Sequence, residues 1–315
     1  MQADTIRRLL PWLIKFVVSA SLIAYLLDKV GLQGAWSRAQ QISPVMVLAA
    51  AAVLAGQTVV WALRWAQVIR AMGRHLPVRQ SILITFVGLF VNQFLPASLG
   101  ADIVRMWQSR RAGLPISPAV NSVLLERAVN VLVVSMLAAV TAPYWIGFHG
   151  SALAGWAFPA LALCALGGIA LVACLDRLPR GWHDHRWFRG LAYLAKDTRM
   201  VFLNPGHMAG LATLAVLGQF MLATSVYLLA SGMGLGLTLL QCLVLMPPVV
   251  LISSLPISVA GWGVREFVMI TALGFMGVKA DAALLLSIVF AMLVMLVSLP
   301  GGAVWLLLRA PRAVP

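Results

Sequence analysis

Asn92-Gln93-Phe94-Leu95-Pro96-Ala97-Ser98-Leu99-Gly100-Ala101-Asp102-Ile103-Val104-Arg105 lies in the middle of a long apolar region, from about Ser81 to Leu114, and interrupts it. A proline followed by small residues breaks an uninterrupted helix, and in hydrocarbon the backbone groups it frees must be satisfied within the protein. The break therefore predicts a re-entrant hairpin or a discontinuous helix. The pattern returns at Leu255-Pro256-Ile257-Ser258-Val259-Ala260-Gly261, inside the apolar region from Leu239 to Val278. Val264-Arg265 stands to the second break as Val104-Arg105 stands to the first.

Around these breaks the chain is almost wholly apolar. Its 315 residues are 62% hydrophobic and 10% charged, and the mean hydropathy is +0.95. About a quarter of the residues of a soluble domain are charged, so that class is excluded. At roughly 20 residues per crossing, the apolar content sets a ceiling near ten passes. The longest polar interval, 175–206, is far short of the roughly 100 residues of a typical soluble domain. Continuous apolar windows run from about Leu9 to Leu27, Pro44 to Leu63, Pro118 to Ile146, Ala152 to Leu175, His207 to Ala230 and Ala282 to Leu308. The expectation is an all-α polytopic membrane protein with six spanning helices and two re-entrant helical hairpins. Arg7 and Arg8 precede the first window as in a signal peptide, but Asp28 and Lys29 follow it in place of a small-residue cleavage site, so an uncleaved span is expected.

The formal charge is +14, with 23 Lys and Arg against nine Asp and Glu. The cations fall in short loops between apolar runs, which points to membrane orientation and anionic phospholipids, with no nucleic acid as partner. If each broken region returns to its own side, Arg7, Arg8 and Lys15 share the cytoplasmic face with Arg64, Arg70, Arg74 and Arg79 after the second span. Arg105, Arg110, Arg111, the cluster from Arg177 to Arg199, and Arg309 and Arg312 join them, leaving Lys29, Arg38 and Lys279 outside. A single crossing at the first break would invert everything after it. Both termini are thus predicted to be cytoplasmic. Residues 184–202 set Trp187, Leu191, Leu194 and Phe202 among cations, the pattern of an amphipathic helix on the inner leaflet or of a docking surface.

Each break is preceded by two spans and followed by one. The chain then reads as two repeats, 1–148 and 149–315, within one integral membrane domain. Three crossings per repeat is an odd number, so the second repeat must be inverted, a recurrent transporter layout in which broken elements mark the substrate site.

Ionisable groups at bilayer depth cost about 2.5–3.5 kcal/mol or more each, so each needs a reason. Arg105, Arg127 and Arg265 are the candidates for contact with a lipid phosphate. Asp102, Glu126 and Glu266 would orient them or carry protons. Asn92, Pro96, Ser98, Gly100, Asn130, Pro256, Ser258, Gly261 and Gly263 would form the polar cavity and the hairpin turns. The competing reading is internal ion pairing that holds the hairpins in place. Cys164, Cys174 and Cys242 lie in apolar runs and are expected to be inert packing residues. No metal and no cofactor is expected: His183-Asp184-His185 reads as a solvated loop, and no Walker A or HExxH sequence occurs.

The ordered set Asn92 to Arg105, Glu126-Arg127, Pro256-Ile257-Ser258 and Gly261-Trp262-Gly263-Val264-Arg265-Glu266 resembles the flippase-like family named after the transmembrane region of lysylphosphatidylglycerol synthase. That family's pattern is N-x-x-L-P leading to G-G-D-x-x-R, then E-R, then P-I-S-x-G-G-x-G-x-R-E. Gly100-Ala101 and Ala260-Gly261 depart from it, small residue for small residue. The resemblance implies a bacterial inner-membrane protein that moves a lipid between leaflets, with hopanoid, polyprenyl-linked sugar or glycolipid pathways as the settings of stand-alone members. Some relatives carry an aminoacyltransferase domain; the expectation here is a chain without one, and no enzyme activity. Two alternatives stay open. One is an intramembrane lipid-modifying enzyme with Glu126 or Asp102 as general base, and the other is a scaffold partnered with lipid-biosynthesis enzymes.

Overall fold

Proline, glycine and polar caps divide the chain into helices. The computed structural model describes residues 42–94, 100–144, 152–175, 186–254 and 263–309, and every regular element among them is an α-helix. In chain order these are α1 (Pro44–Ala71), α2 (Val78–Asn92), α3 (Gly100–Arg111), α4 (Ile116–Val140), α5 (Ala152–Ala173), α6 (Arg186–Phe202), α7 (Pro205–Gly232), α8 (Leu239–Ser253), α9 (Val264–Gly274) and α10 (Ala280–Arg309). α1 ends where Gly73 adopts φ +70° and the Arg74 N–H donates to the Ile69 carbonyl at 3.1 Å, the left-handed glycine stop of a helix. α7 starts on Pro205, with the Asn204 side chain accepting from the Gly206 N–H at 3.0 Å. Thr238 and Gln241 form a capping box at the start of α8.

Among the described residues, five helices are long and apolar enough to cross a membrane: α1, α4, α7, the Trp156–Ala173 part of α5 and the Ala280–Leu307 part of α10. The predicted span from Leu9 to Leu27 lies outside the described residues. α2 and α8, each 15 residues long, are apolar but shorter than the roughly 20 residues of a crossing. Both helices stop at the predicted breaks, whose residues Pro96, Ser98, Pro256, Ser258 and Gly261 also lie outside the described residues.

Three expectations need correction. The helix that begins at Pro44 does not stop at Leu63; it continues to Ala71, so Arg64 belongs to its interior and not to a loop. Its last turns continue because they still have helices to pack against: Trp65, Val68 and Ile69 are all buried. Second, α4 ends at Val140, where Thr141 closes the last turn and residues 142–144 are helical again; the Ile146 end expected from hydropathy lies outside the described residues. Third, Cys164 and Cys174 are exposed and only Cys242 is buried. Most of α5 faces outward, with Trp156 75% and Leu163 69% exposed, the surface of a helix solvated by lipid.

Packing separates the chain into two units. One comprises residues up to 56, 86–103 and those from 220 onward. Within it α9 packs on both α8 and α10. The Gly301 Cα leaves no room for a side chain, since a Cβ there would run into the Phe86 carbonyl, and one on Gly302 would come within 2.8 Å of the Phe90 ring. A Cβ on Gly88 would lie 3.0 Å from the Ala101 carbonyl oxygen, so α2 and α3 also touch backbone to backbone. Lipid tails are as apolar as leucine, so close approach at small residues supplies much of the association energy. The Ser225 hydroxyl adds a hydrogen bond to the Ala50 carbonyl at 3.1 Å.

The other unit comprises residues 57–85 and 104–219. Val68 and Met72 of α1 meet Leu125, Val129 and Val133 of α4, with Val201 and Leu211 closing the cluster. Trp65 and Ile69 pack instead on Ile84, Leu114, Ala119 and Val123. α6 lies against α4 and α5. Its Asp197 carboxylate accepts from the Asn121 amide of α4 at 2.7 Å, and Arg199 donates to the Ala173 carbonyl at the end of α5 at 3.1 Å. Residues 186–202 are therefore helical as predicted, with Ala195, Thr198 and Val201 buried.

Candidate functional site

Helical spacing puts Trp61, Arg64, Trp65 and Val68 on one side of α1, and Ser122, Glu126, Val129 and Val133 on one side of α4. On α3 the same rule groups Asp102, Arg105 and Ser109, all buried. Glu126, 1% exposed, is where these faces converge. The Arg64 Nε donates to Glu126 Oε1 at 2.8 Å and its Nη2 donates to the same oxygen, while the Arg105 Nη1 donates to Oε2 at 3.0 Å. One carboxylate thus joins arginines from two other helices, 62 and 21 residues away.

The wall around this junction is aromatic. The Arg105 guanidinium carbon lies 4.5 Å from the centre of the Trp65 ring and 5.1 Å from that of Trp61, within the range of cation–π attraction. The Trp65 indole N–H donates to the Ser122 hydroxyl at 3.1 Å, which fixes the ring. The two guanidinium groups and the carboxylate sit in a region where Arg105 is 0% exposed and Asp102, three residues before it on α3, is also buried. Desolvating three charges costs several kcal/mol per ion and is offset only by close, well-formed hydrogen bonds such as these. Guanidinium is also the group best matched to a phosphate or carboxylate, through two parallel N–H donors.

Sequence reasoning had placed Arg105 and Glu126 in one cavity, and the structure brings them together. It had not assigned Arg64, whose position among tryptophans in Trp61-Ala62-Leu63-Arg64-Trp65 was the available signal: a cation inside an aromatic, helical run is poorly placed for a solvated loop. Arg127, expected to contact a lipid phosphate as Arg105 would, points from another side of α4 onto an apolar groove formed with α5 and α6. A helix turns about 100° per residue, so neighbours 126 and 127 cannot share a face. Asn130 is half-buried one turn beyond Glu126.

In the other unit, the Arg265 Nη2 donates to the adjacent Glu266 Oε1 at 2.7 Å, and its Nε does so at 3.2 Å. Glu266 Oε2 accepts from the Gly263 N–H at 2.6 Å, closing the first turn of α9, and the Ser287 hydroxyl of α10 lies 3.5 Å from Oε1. Gly263 has φ +85°, a left-handed conformation that explains a glycine there. Asp102 is buried in the first turn of α3, Gly100 is the buried first residue of that helix, and Asn92 is half-buried at the end of α2.

The model of the lysylphosphatidylglycerol synthase TM region matches residues 12–302. The chain belongs to that family. This makes it a multi-pass membrane protein of a kind linked to lipid metabolism or transport. Comparison with curated protein sequences yields no match.

Proposed function

We propose that this protein carries a lipid with an anionic headgroup between the leaflets of the bacterial inner membrane and is not an enzyme. The observation that carries the reading is the buried Arg64–Glu126–Arg105 junction: an arginine-rich, hydrogen-bonding centre in helices otherwise built for lipid. A phosphate entering there would find guanidinium donors already oriented, with Glu126 as the resident anion it displaces. Arg265 and Glu266 would offer a second such pair. The headgroup belongs to a phospholipid or to a polyprenyl-, hopanoid- or glycolipid-linked species.

In the architecture that goes with this reading, α2–α3 and α8–α9 are the re-entrant hairpins of two inverted repeats. The span expected from Leu9 to Leu27 completes the six, and both termini are cytoplasmic. The 15-residue lengths of α2 and α8 and the close packing of α8 on α9 support it.

Purified protein in liposomes, with fluorescent phosphatidylglycerol and polyprenyl phosphate in one leaflet, tests the proposal. Transfer well above that of empty liposomes is expected, with loss in Arg105→Gln. Transfer no faster than in empty liposomes for every lipid class would overturn it. A lipid product missing from deletion cells would instead identify an enzyme, and full function in Arg105→Gln a scaffold.

A further inference from the structure

The groove on which Arg127 opens has a volume of about 410 Å³, within the roughly 300–1,000 Å³ of small-ligand sites. Its walls are hydrocarbon from three helices: Leu124 and Val131 of α4, Gly168 and Ile169 of α5, and Leu194 and Phe202 of α6. The groove is unfilled over Gly168, where a Cβ would meet nothing within 4 Å. A phosphate inside such walls would lose its hydration without replacement partners, so the contents must be an alkyl chain.

Lipid tails already lie in hydrocarbon, and entry into the groove gains only packing. Selectivity must come from the headgroup, and the charge nearby is mainly positive. Arg127 is the charged residue on the groove wall, and α6, which forms one side, carries Lys196 and Arg199 against Asp197 among its described side chains. From this complementarity we infer that the groove is a binding site for one acyl chain of an anionic phospholipid, held beneath α6 with its headgroup attracted to Arg127 and the basic helix. The site is separate from the Glu126 junction and does not require that the lipid cross the membrane.

The test uses the full chain in phosphatidylcholine vesicles containing phosphatidylglycerol with a diazirine near the end of one acyl chain. Photolabelling is expected on Ala165–Val172 and Leu194–Phe202, and excess unlabelled phosphatidylglycerol should compete it away where phosphatidylcholine does not. Gly168→Phe fills the groove and should reduce labelling to background. Gly167→Phe, at a neighbouring position that also opens on empty space but does not line the groove, should leave it unchanged. Both changes raise helix propensity, so loss in one alone is not loss of fold. Arg127→Gln should abolish the preference for phosphatidylglycerol while chain labelling persists. Wild-type labelling in Gly168→Phe, or equal competition by phosphatidylcholine, would overturn the site and leave ordinary boundary lipid. Competition by a polyprenyl phosphate but not by phosphatidylglycerol would overturn the acyl-chain assignment. None of these readouts measures transfer between leaflets, so they stand or fall apart from the transport assay.

Discussion

Glu126 and Glu266 are both buried carboxylates with an arginine as sequence neighbour, yet they organise their surroundings in opposite ways. Glu126 reaches across the packing to Arg64 and Arg105 and ties α1, α3 and α4 together. Glu266 binds the adjacent Arg265 and the Gly263 N–H and secures the start of its own helix. Charge pairs made within one turn stabilise an element, whereas pairs made across long separations select which elements meet. Equal burial therefore conceals unequal structural weight.

The largest effect is expected from Glu126→Gln, which weakens the acceptor that Arg64 and Arg105 share. Removing one partner of a buried ion pair costs about 3–5 kcal/mol, and thermal unfolding in detergent should register the loss. Adding Arg64→Gln to that variant should restore part of it, with a coupling of about 0.5–3 kcal/mol in the double-mutant cycle. No coupling would mean that the junction does not act as a unit.

Glu266→Gln should be much milder, because a glutamine side-chain oxygen at the third helical position can still accept from the Gly263 N–H. Glu266→Ala should cost roughly 1 kcal/mol more by opening the cap. If Glu266→Gln proves as damaging as Glu126→Gln, the contrast between local and long-range pairing fails.

A third carboxylate, Asp197, calibrates the other two because it lies on α6, outside the spanning helices. Burial raises its pKa above the ordinary aspartate value, partly opposed by the Asn121 hydrogen bond and by the charges of Lys196 and Arg74. A carboxyl with a raised folded pKa favours the protonated fold. Its contribution is present below the unfolded pKa, near 3.8, and is lost as pH rises through the folded value. Wild type should thus lose a small increment of thermal stability as pH rises above 3.8 that Asp197→Asn does not lose. A flat difference between the two across that range would remove burial as the dominant influence on this group.

The family pattern and the helical periodicity made the all-helical class, Arg105, Glu126 and the Arg265–Glu266 pair legible from sequence, because each rests on local spacing. Arg64 was not legible for two reasons. Its charge lowered the local hydropathy to that of a loop, and the carboxylate that neutralises it stands 62 residues away. The direction of Arg127 was hidden for a different reason. It adjoins Glu126 in sequence, and only the angular step of the helix separates their destinations. The cysteines illustrate the same limit, since an apolar run does not reveal which of its sides finds protein and which finds lipid.

The separation between Arg64 and Glu126 also has a consequence for biogenesis. Ribosomes add roughly 5–20 residues per second, so Arg64 leaves the tunnel about 3–12 s before the carboxylate that will receive it. Throughout that interval α1 is a nascent segment with an uncompensated cation near one end. It must wait at the translocon or snorkel its guanidinium to a headgroup, and it becomes a stably inserted helix only when α4 arrives.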